Sequence, residues 1–288
     1  MNDIAKQSFT VPAGRMAYID TGPVSGKTIV FVHGNPASSA EFLPAINRLR
    51  SDHRCIAVDH IGFGDSDKPA DWDYLPKSHA ENFALFMDQL SVDEISLVVG
   101  DWGGPIGLSW AIGNPQRIAT LVITNTWLWP VNRSLYYQGF SKMMGGPIGR
   151  YLIRNHNFFA NQIVKSAWGT RTSLTPEIHR SFTDVHTERA ERKGMWVFPA
   201  EIIGSTQWLS KLWDQRNVLR DLDMRIIWGM KDIAFRPDVL KRWVSEFPLA
   251  SVQRLDDAGH FVALEATNEL VGAIIADPKK ARITNCRT

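Results

Sequence analysis

The feature that most constrains the fold is a sharp corner near residue 101, where an apolar run meets a glycine-rich turn. Residues 95–99 are mostly β-branched or apolar and predict a buried strand, whereas residues 106–112 predict a helix. A Gly-x-Ser-x-Gly corner between strand and helix raises a nucleophile at the strand end. Here the corner reads Gly100-Asp101-Trp102-Gly103-Gly104, so the raised side chain is a carboxylate. Taken alone, Asp101 is explained equally well as a cap of the helix N-terminus.

Strand-like and helix-like segments alternate through much of the remaining chain. Apolar or alternating runs predict further strands at residues 15–20, 28–33, 54–59, 118–124, 224–229 and 251–255. Helical spacing of apolar residues predicts helices over residues 41–50, 78–90, 239–246 and 262–275. This alternation is typical of an α/β fold, in which helices cover both faces of a mostly parallel sheet.

The alternation stops between about residues 130 and 216, where the segments are helical and rich in aromatic residues. A helical insertion in an α/β sheet lies as a cap over the carboxyl ends of the strands, where open sheets bind ligands. We therefore predict a core domain made of residues 1–129 and 217–288 and a helical cap domain made of residues 130–216.

Composition excludes several classes of partner. The 288 residues include 32 basic and 30 acidic side chains, a net charge of +2, which argues against nucleic acid and anionic membranes as partners. The basic segment 279–282 is interpreted as solvated. No stretch is apolar and long enough for a signal segment or a membrane span. Cys55 and Cys286 have such different settings that no disulfide framework is expected, so we predict a cytoplasmic protein.

Two more titratable residues follow predicted strands. Asp232 comes just after the run 224–229, and His260 comes just after the run 251–255. Together with Asp101 they have the chain order nucleophile, acid, histidine that a hydrolase of this fold requires. Each has an ordinary alternative, a turn aspartate or a structural histidine, but the three in this order favour a catalytic triad.

The neighbouring Asp256 and Asp257 are rival acids, although they lie too close to His260 along the chain to orient its ring easily. We find no His/Cys cluster with metal-ligand spacing and no phosphate-cradling loop. The sequence therefore predicts neither a metal nor an organic cofactor.

Five short motifs resemble the haloalkane dehalogenases of the α/β-hydrolase fold. They are His33-Gly34-Asn35-Pro36, Ile61-Gly62-Phe63-Gly64-Asp65-Ser66, Asp101-Trp102-Gly103-Gly104, Trp228-Gly229-Met230-Lys231-Asp232 and Gly259-His260-Phe261. The resemblance implies an eight-stranded, mostly parallel sheet with a helical cap, a small apolar halogenated substrate and a halide ion product. It also implies that Asn35 and Trp102 hold the halide with their side chains and form the oxyanion hole with their backbone N–H groups.

Within that family the acid follows either the sixth or the seventh strand. The sixth strand here ends in Asn125-Thr126-Trp127 and offers no carboxylate, so the acid is expected to be Asp232. This combination resembles the subgroup with an Asn–Trp halide pair, whose members tend to self-associate, and we expect self-association here.

The chemistry explains these residue types. Breaking a carbon–halogen bond by in-line displacement needs a nucleophile that is already anionic at pH 7, and a carboxylate with a reference pKa of about 4 meets this need. The expected product is an ester on Asp101, which water activated by His260 then hydrolyses while Asp232 orients the imidazole. The indole N–H of Trp102 and the amide N–H of Asn35 are neutral donors suited to a leaving halide.

Other functions remain open at this point. An epoxide hydrolase uses the same triad with cap tyrosines, for which Tyr136, Tyr137 and Tyr151 are candidates, although Asn35 argues against it. A serine esterase is disfavoured by Asp101, while a cofactor-free oxygenase or a binding receptor would share the fold. An apolar pocket under the cap would draw on the aromatic residues Trp127, Trp129, Phe158, Phe159, Trp168, Trp196 and Trp208.

Overall fold

The structure is a computed structural model that describes residues 4–90 and 92–277. Cys286 and the basic segment 279–282 lie outside the described residues. In the described part of the chain, no helix has both the length and the apolar character needed to cross a membrane.

Within the described residues eight strands form one sheet, which confirms the predicted α/β-hydrolase fold class. The strand order is β1-β2-β4-β3-β5-β6-β7-β8, with β2 antiparallel to both β1 and β4 and all other neighbours parallel. The strands are β1 (Gln7–Val11), β2 (Gly14–Thr21), β3 (Thr28–Val32), β4 (Arg54–Val58), β5 (Ile95–Gly100), β6 (Ile118–Thr124), β7 (Met224–Gly229) and β8 (Ser251–Leu255).

Strand β1 is not among the strands that the sequence pattern predicts. Its sequence Gln-Ser-Phe-Thr-Val has two exposed polar residues at its start and only Val11 is buried, so it carries no apolar pattern of a core strand. It forms because it pairs with β2 along its whole length, from Gln7 opposite Tyr18 to Val11 opposite Gly14. Such a strand is specified by its partner and not by its own periodicity.

Twelve α-helices surround the sheet in the described chain. They are α1 (Leu43–Leu49), α2 (Pro76–Gln89), α3 (Gly103–Gly113), α4 (Leu135–Gly145), α5 (Pro147–His156), α6 (Val164–Ala167), α7 (Pro176–Thr183), α8 (Lys193–Gly204), α9 (Thr206–Asp214), α10 (Pro237–Glu246), α11 (Val262–Glu265) and α12 (Thr267–Ile275). Short 3-10 helices span Ser39–Phe42, Pro115–Arg117, Ala190–Arg192 and Arg216–Leu219, and one π-helical turn spans Phe159–Ile163. The predicted helix over 262–275 is in fact two helices, because Ala266 leaves the helical conformation with φ −137° and ψ 47°.

The central strands are buried on both faces. Every residue of β3 is buried, and so are all but the last residue of β5, as expected for parallel strands covered by helices on each side. Helix α3 approaches the sheet very closely, since a side chain at Gly103 would collide with the carbonyl oxygen of Val32. Close packing at this point fixes the start of α3 directly against the end of β3.

Helices α4 to α9 all lie in the insertion between β6 and β7. Two of them, α4 and α8, pack so closely that a Cβ at Gly145 would overlap Ala200. The hydroxyl of Ser141 donates to the Ala200 carbonyl at 3.1 Å, which ties the same pair of helices together. We propose that residues 130–216 act as a cap over the core formed by the remaining residues.

Candidate active site

Asp101 occupies a strained corner between β5 and α3. Its φ of +48° lies in the left-handed region, which costs a non-glycine residue of order 1–3 kcal/mol and persists only where neighbours fix it. The end of β6 supplies that support from both sides. The Asp101 N–H donates to the carbonyl of Asn125 at 3.0 Å, and the Thr126 hydroxyl donates to the carbonyl of Asp101 at 2.5 Å.

Two backbone N–H groups converge on the Asp101 carboxylate. The N–H of Asn35 donates to Oδ1 at 2.6 Å, and the N–H of Trp102 also donates to the carboxylate. This approach requires glycine at position 34, because a Cβ there would overlap the carboxylate itself. Burial raises the pKa of Asp101 above its ordinary value, whereas the nearby His260 and the two N–H groups oppose the rise.

His260 lies between two carboxylates. Its Nδ1 is 2.9 Å from Oδ2 of Asp232, and its Nε2 is 3.7 Å from Oδ2 of Asp101. Burial lowers the pKa of His260, but the charge and hydrogen bond of Asp232 and the charge of Asp101 outweigh it and raise the pKa to about 9. With Asp101 ionised, the site therefore holds an imidazolium between two carboxylates.

Asp232 is held rigidly behind the histidine. Its side chain is fully buried and accepts three hydrogen bonds, from His260, from Nδ2 of Asn125 at 2.8 Å and from the N–H of Ala234 at 2.6 Å. Asn125 also bonds both backbone groups of Gly229, which anchors the end of β7. Sequence reasoning missed this role for Asn125 and noted only that it is not an acid. Its place at the end of a buried strand was the available signal.

Asn35 and Trp102 lie at the base of a pocket. Both side chains are buried, with 6% and 2% of their surface exposed, and both line the cavity beside Asp101. The ring of Trp102 stacks on Phe198 with centroids 5.4 Å apart and meets the ring of Trp127 edge-on at 4.6 Å. Within residues 4–90 and 92–277, the amide oxygen Oδ1 of Asn35 is buried without a hydrogen-bond partner. The Asn35 amide and the Trp102 indole both line the cavity, so their N–H groups can face a ligand.

The pocket above Asp101 has a volume of about 550 Å³ and is almost entirely apolar. Of the seven aromatic residues proposed for such a pocket, Trp127 and Phe159 line it, and the other five do not. Its charged and amide side chains are those of Asp101, His260 and Asn35. A cavity of this size and character suits an apolar ligand that presents one reactive atom to the carboxylate.

None of the three tyrosines considered for an epoxide hydrolase directs a free hydroxyl into the pocket. Tyr136 and Tyr137 line the pocket, but their hydroxyls donate to the carbonyls of Ile233 and Ala234, the latter at 3.0 Å. Tyr151 is 60% exposed and lies outside the pocket.

The rival acids are also accounted for. Asp257 forms an ion pair with Arg171 at 2.9 Å, and Asp256 is exposed, so neither orients His260. Over the described ranges, no group of three or more His, Cys, Asp or Glu side chains is arranged to hold a metal ion.

The fold and this arrangement of side chains define a hydrolase of the α/β-hydrolase class. The family model described as alpha/beta hydrolase fold matches residues 27–267. Haloalkane dehalogenase 2 of Mycobacterium tuberculosis is 34% identical to this chain over 271 residues, covering 93% of this chain and 92% of the relative. The chain belongs to the haloalkane dehalogenase family.

Two further proteins are similar to this chain. The crystal structure of haloalkane dehalogenase DbeA from Bradyrhizobium elkani has the same fold, with a TM-score of 0.84, 21% identity, and coverage of 99% of this chain and 100% of that one. A cis-3-alkyl-4-alkyloxetan-2-one decarboxylase of Shewanella oneidensis is 30% identical, covering 89% of this chain and 83% of the relative.

Proposed function

We propose that this enzyme hydrolyses haloalkanes to alcohol, halide and a proton through an alkyl ester on Asp101. The observation that carries the proposal is the base of the pocket. There a carboxylate faces an apolar cavity that the side chains of Asn35 and Trp102, two neutral N–H donors, also line. Relatives named haloalkane dehalogenases support the same reaction class.

In the first step the Asp101 carboxylate attacks the carbon that carries the halogen. A carbon–oxygen bond forms, the carbon–halogen bond breaks, and the halide leaves with the bonding electrons. The indole N–H of Trp102 and the amide N–H of Asn35 stabilise the charge that develops on the halogen. Because both donors are neutral, they do not form an ion pair with Asp101 or retain the product halide strongly.

In the second step His260 activates a water that attacks the ester carbonyl. Esterification removes the negative charge of Asp101, which is one of the causes that raise the pKa of His260. The imidazole therefore loses its proton more easily once the ester has formed, and it becomes available as a general base. Asp232 then stabilises the imidazolium that results from proton transfer.

The backbone N–H groups of Asn35 and Trp102 supply the oxyanion hole for this second step. Both already donate to the Asp101 carboxyl group, so they are directed at the oxygen that becomes negative when water adds.

Halide release and product analysis test the proposal. Wild-type enzyme supplied with 1-bromohexane is expected to release bromide and 1-hexanol. The Asp101→Ala variant is expected to release neither product. The His260→Ala variant is expected to release one equivalent of bromide and to retain a hexyl group on the protein, which intact mass spectrometry detects. A His260→Ala protein that turned over at the wild-type rate would refute the mechanism.

Epoxide hydrolysis is the less favoured use of the same triad. It requires a hydroxyl directed at the epoxide oxygen, and the hydroxyls of Tyr136 and Tyr137 are bound to backbone carbonyls. We expect no diol from styrene oxide, and the Tyr137→Phe variant is expected to keep its bromide release. Formation of diol, lost in Tyr137→Phe, would instead assign the enzyme to epoxide hydrolysis.

A second candidate reaction is suggested by the decarboxylase relatives, which act on oxetan-2-ones according to their name. Attack of Asp101 on the sp³ ring carbon would break the ring C–O bond and leave a free carboxylate. Loss of carbon dioxide would then expel Asp101 and form an alkene without any water. A cis-3,4-dialkyl oxetan-2-one tested beside 1-bromohexane separates the reactions, because only the first substrate can yield alkene and carbon dioxide.

A further inference from the structure

A second, much smaller recess adjoins the pocket beside Asp101. Its volume of about 10 Å³ is on the order of the ~10–15 Å³ that one water requires. Unlike the large pocket, it is lined mainly by polar groups, which include Glu41, Thr124 and His260. The two cavities share Asn35 and Asp101, so a water in the recess lies beside the same carboxyl group that the substrate meets from the apolar side.

Glu41 is the acidic group of this recess that the proposed triad does not use. It lies in the 3-10 helix Ser39–Phe42, which β3 brings to the edge of the sheet. A hydrogen bond holds this helix against the residue that follows β4, because the N–H of Ser39 donates to Oδ1 of Asp59 at 2.7 Å. The carboxyl group of Glu41 is consequently held near the active site by the fold itself.

The carboxyl group of Glu41 makes no hydrogen bond or ion pair with any residue in the ranges 4–90 and 92–277, yet it interacts electrostatically with both His260 and Asp101. Burial raises its pKa to about 7, with Asp101 acting in the same direction and His260 opposing. A glutamate with a purely surface role would extend into solvent and keep its ordinary pKa.

Hydrolysis of the ester requires a second hydrogen-bond acceptor for the attacking water, in addition to His260. The attacking water donates one hydrogen to the imidazole, and its orientation toward the carbonyl carbon is fixed only if the second hydrogen also has an acceptor. A carboxylate in the recess supplies that acceptor. Its negative charge also stabilises the imidazolium formed as the proton moves to His260.

We propose that Glu41 binds the hydrolytic water in this recess and acts only in the second half of the reaction. The inference rests on the ester mechanism proposed above. Water adds to the ester carbonyl as one of its protons passes to His260. The bond between the carbonyl carbon and the alkyl oxygen then breaks, the alcohol leaves with the proton from His260, and the second proton of the water is released to solvent, which restores the Asp101 carboxylate. Glu41 accepts a hydrogen bond throughout and its own bonds do not change.

Rapid-quench kinetics with 1-bromohexane separate the two half-reactions. For Glu41→Leu we expect the burst of bromide to keep its wild-type rate within about twofold, while ester hydrolysis slows roughly tenfold to a hundredfold. The hexyl ester should then accumulate in intact mass spectrometry. Glu41→Gln retains an acceptor oxygen and should slow hydrolysis less. Glu81→Gln, a change at an exposed glutamate of α2, is the control and should leave both rates unchanged.

The outcomes distinguish this inference from the proposed function. If His260→Ala traps the ester but Glu41→Leu hydrolyses it at the wild-type rate, or if both half-reactions slow equally, Glu41 does not position water and the ester mechanism stands. If wild-type enzyme releases no bromide, or His260→Ala retains no hexyl group, the proposed function fails and this inference with it. If Glu41→Leu does not fold, the isosteric Glu41→Gln decides, since slower hydrolysis with an unchanged bromide burst supports the inference and two unchanged rates overturn it.

Discussion

Replacing Asp232 with asparagine tests what the negative charge of Asp232 contributes to the action of His260. The carboxylate accepts from His260 and Asn125 through Oδ2 and from the N–H of Ala234 through Oδ1. An asparagine has one oxygen and one NH₂ group, so it cannot accept at both positions. Its oxygen is expected to face His260, which leaves the N–H of Ala234 opposite another donor.

The expected effect on catalysis is large and confined to one step. Loss of the negative charge removes the strongest interaction that raises the pKa of His260 and weakens the stabilisation of its imidazolium. In serine hydrolases the corresponding change lowers turnover about 10⁴-fold. We expect Asp232→Asn to slow ester hydrolysis by roughly 10²–10⁴, or about 3–6 kcal/mol at 1.4 kcal/mol per tenfold. Bromide release in the first turnover should change little, because Asp101 needs no base to become a nucleophile.

The assay is a single-turnover experiment with 1-bromohexane, in which bromide and 1-hexanol are followed separately. Since the unpaired Ala234 N–H costs roughly 1–3 kcal/mol, a thermal melt should show a destabilised but folded protein. Wild-type rates of hexanol formation in a folded Asp232→Asn protein would refute the assignment of Asp232 as the orienting acid. Equal slowing of bromide and hexanol would show that the charge acts on the nucleophile instead.

Three further predictions concern halide binding, stability and the corner. Trp102→Phe keeps the ring but removes the indole N–H, so the rate of bromide release should fall roughly tenfold to a thousandfold in rapid-quench assays; an unchanged rate would exclude Trp102 as a halide donor. Burial lowers the pKa of His33 to about 3 and that of His186 to about 4, so the unfolded chain takes up protons below pH ~6.5 that the folded protein does not. Urea unfolding should therefore show that the free energy of unfolding falls as the pH decreases from 6.5 to 4, by up to about 1.4 kcal/mol per pH unit for each buried imidazole. A free energy of unfolding that stays constant over this range would contradict the prediction. Gly103→Ala places a methyl group against the Val32 carbonyl, and we expect it to abolish activity and lower the melting temperature, in contrast to Gly113→Ala, which meets no neighbour.

The sequence by itself determined the elements whose pattern is local. Seven of the eight strands coincide with predicted runs, and the fold class is confirmed, because buried parallel strands and amphipathic helices leave apolar spacing that is visible within a few residues. The loops that carry Asp101, Asp232 and His260 were located for the same reason, since each directly follows such a strand. Their catalytic roles stay a prediction that the kinetic tests above address.

Only the tertiary structure decided what surrounds those residues. The hydrogen bond from Asn125 to Asp232 joins positions 107 residues apart. The hydrogen bonds from the hydroxyls of Tyr136 and Tyr137 to the carbonyls of Ile233 and Ala234 each span 97 residues. Nothing in the local sequence around Glu41 distinguishes it from an ordinary helix glutamate, and its interaction with His260 exists only because β3 and β8 end at the same edge of one sheet. A periodic pattern reports which face of an element is buried, whereas the partner of a polar group depends on which distant segments the packed core brings within a few ångströms.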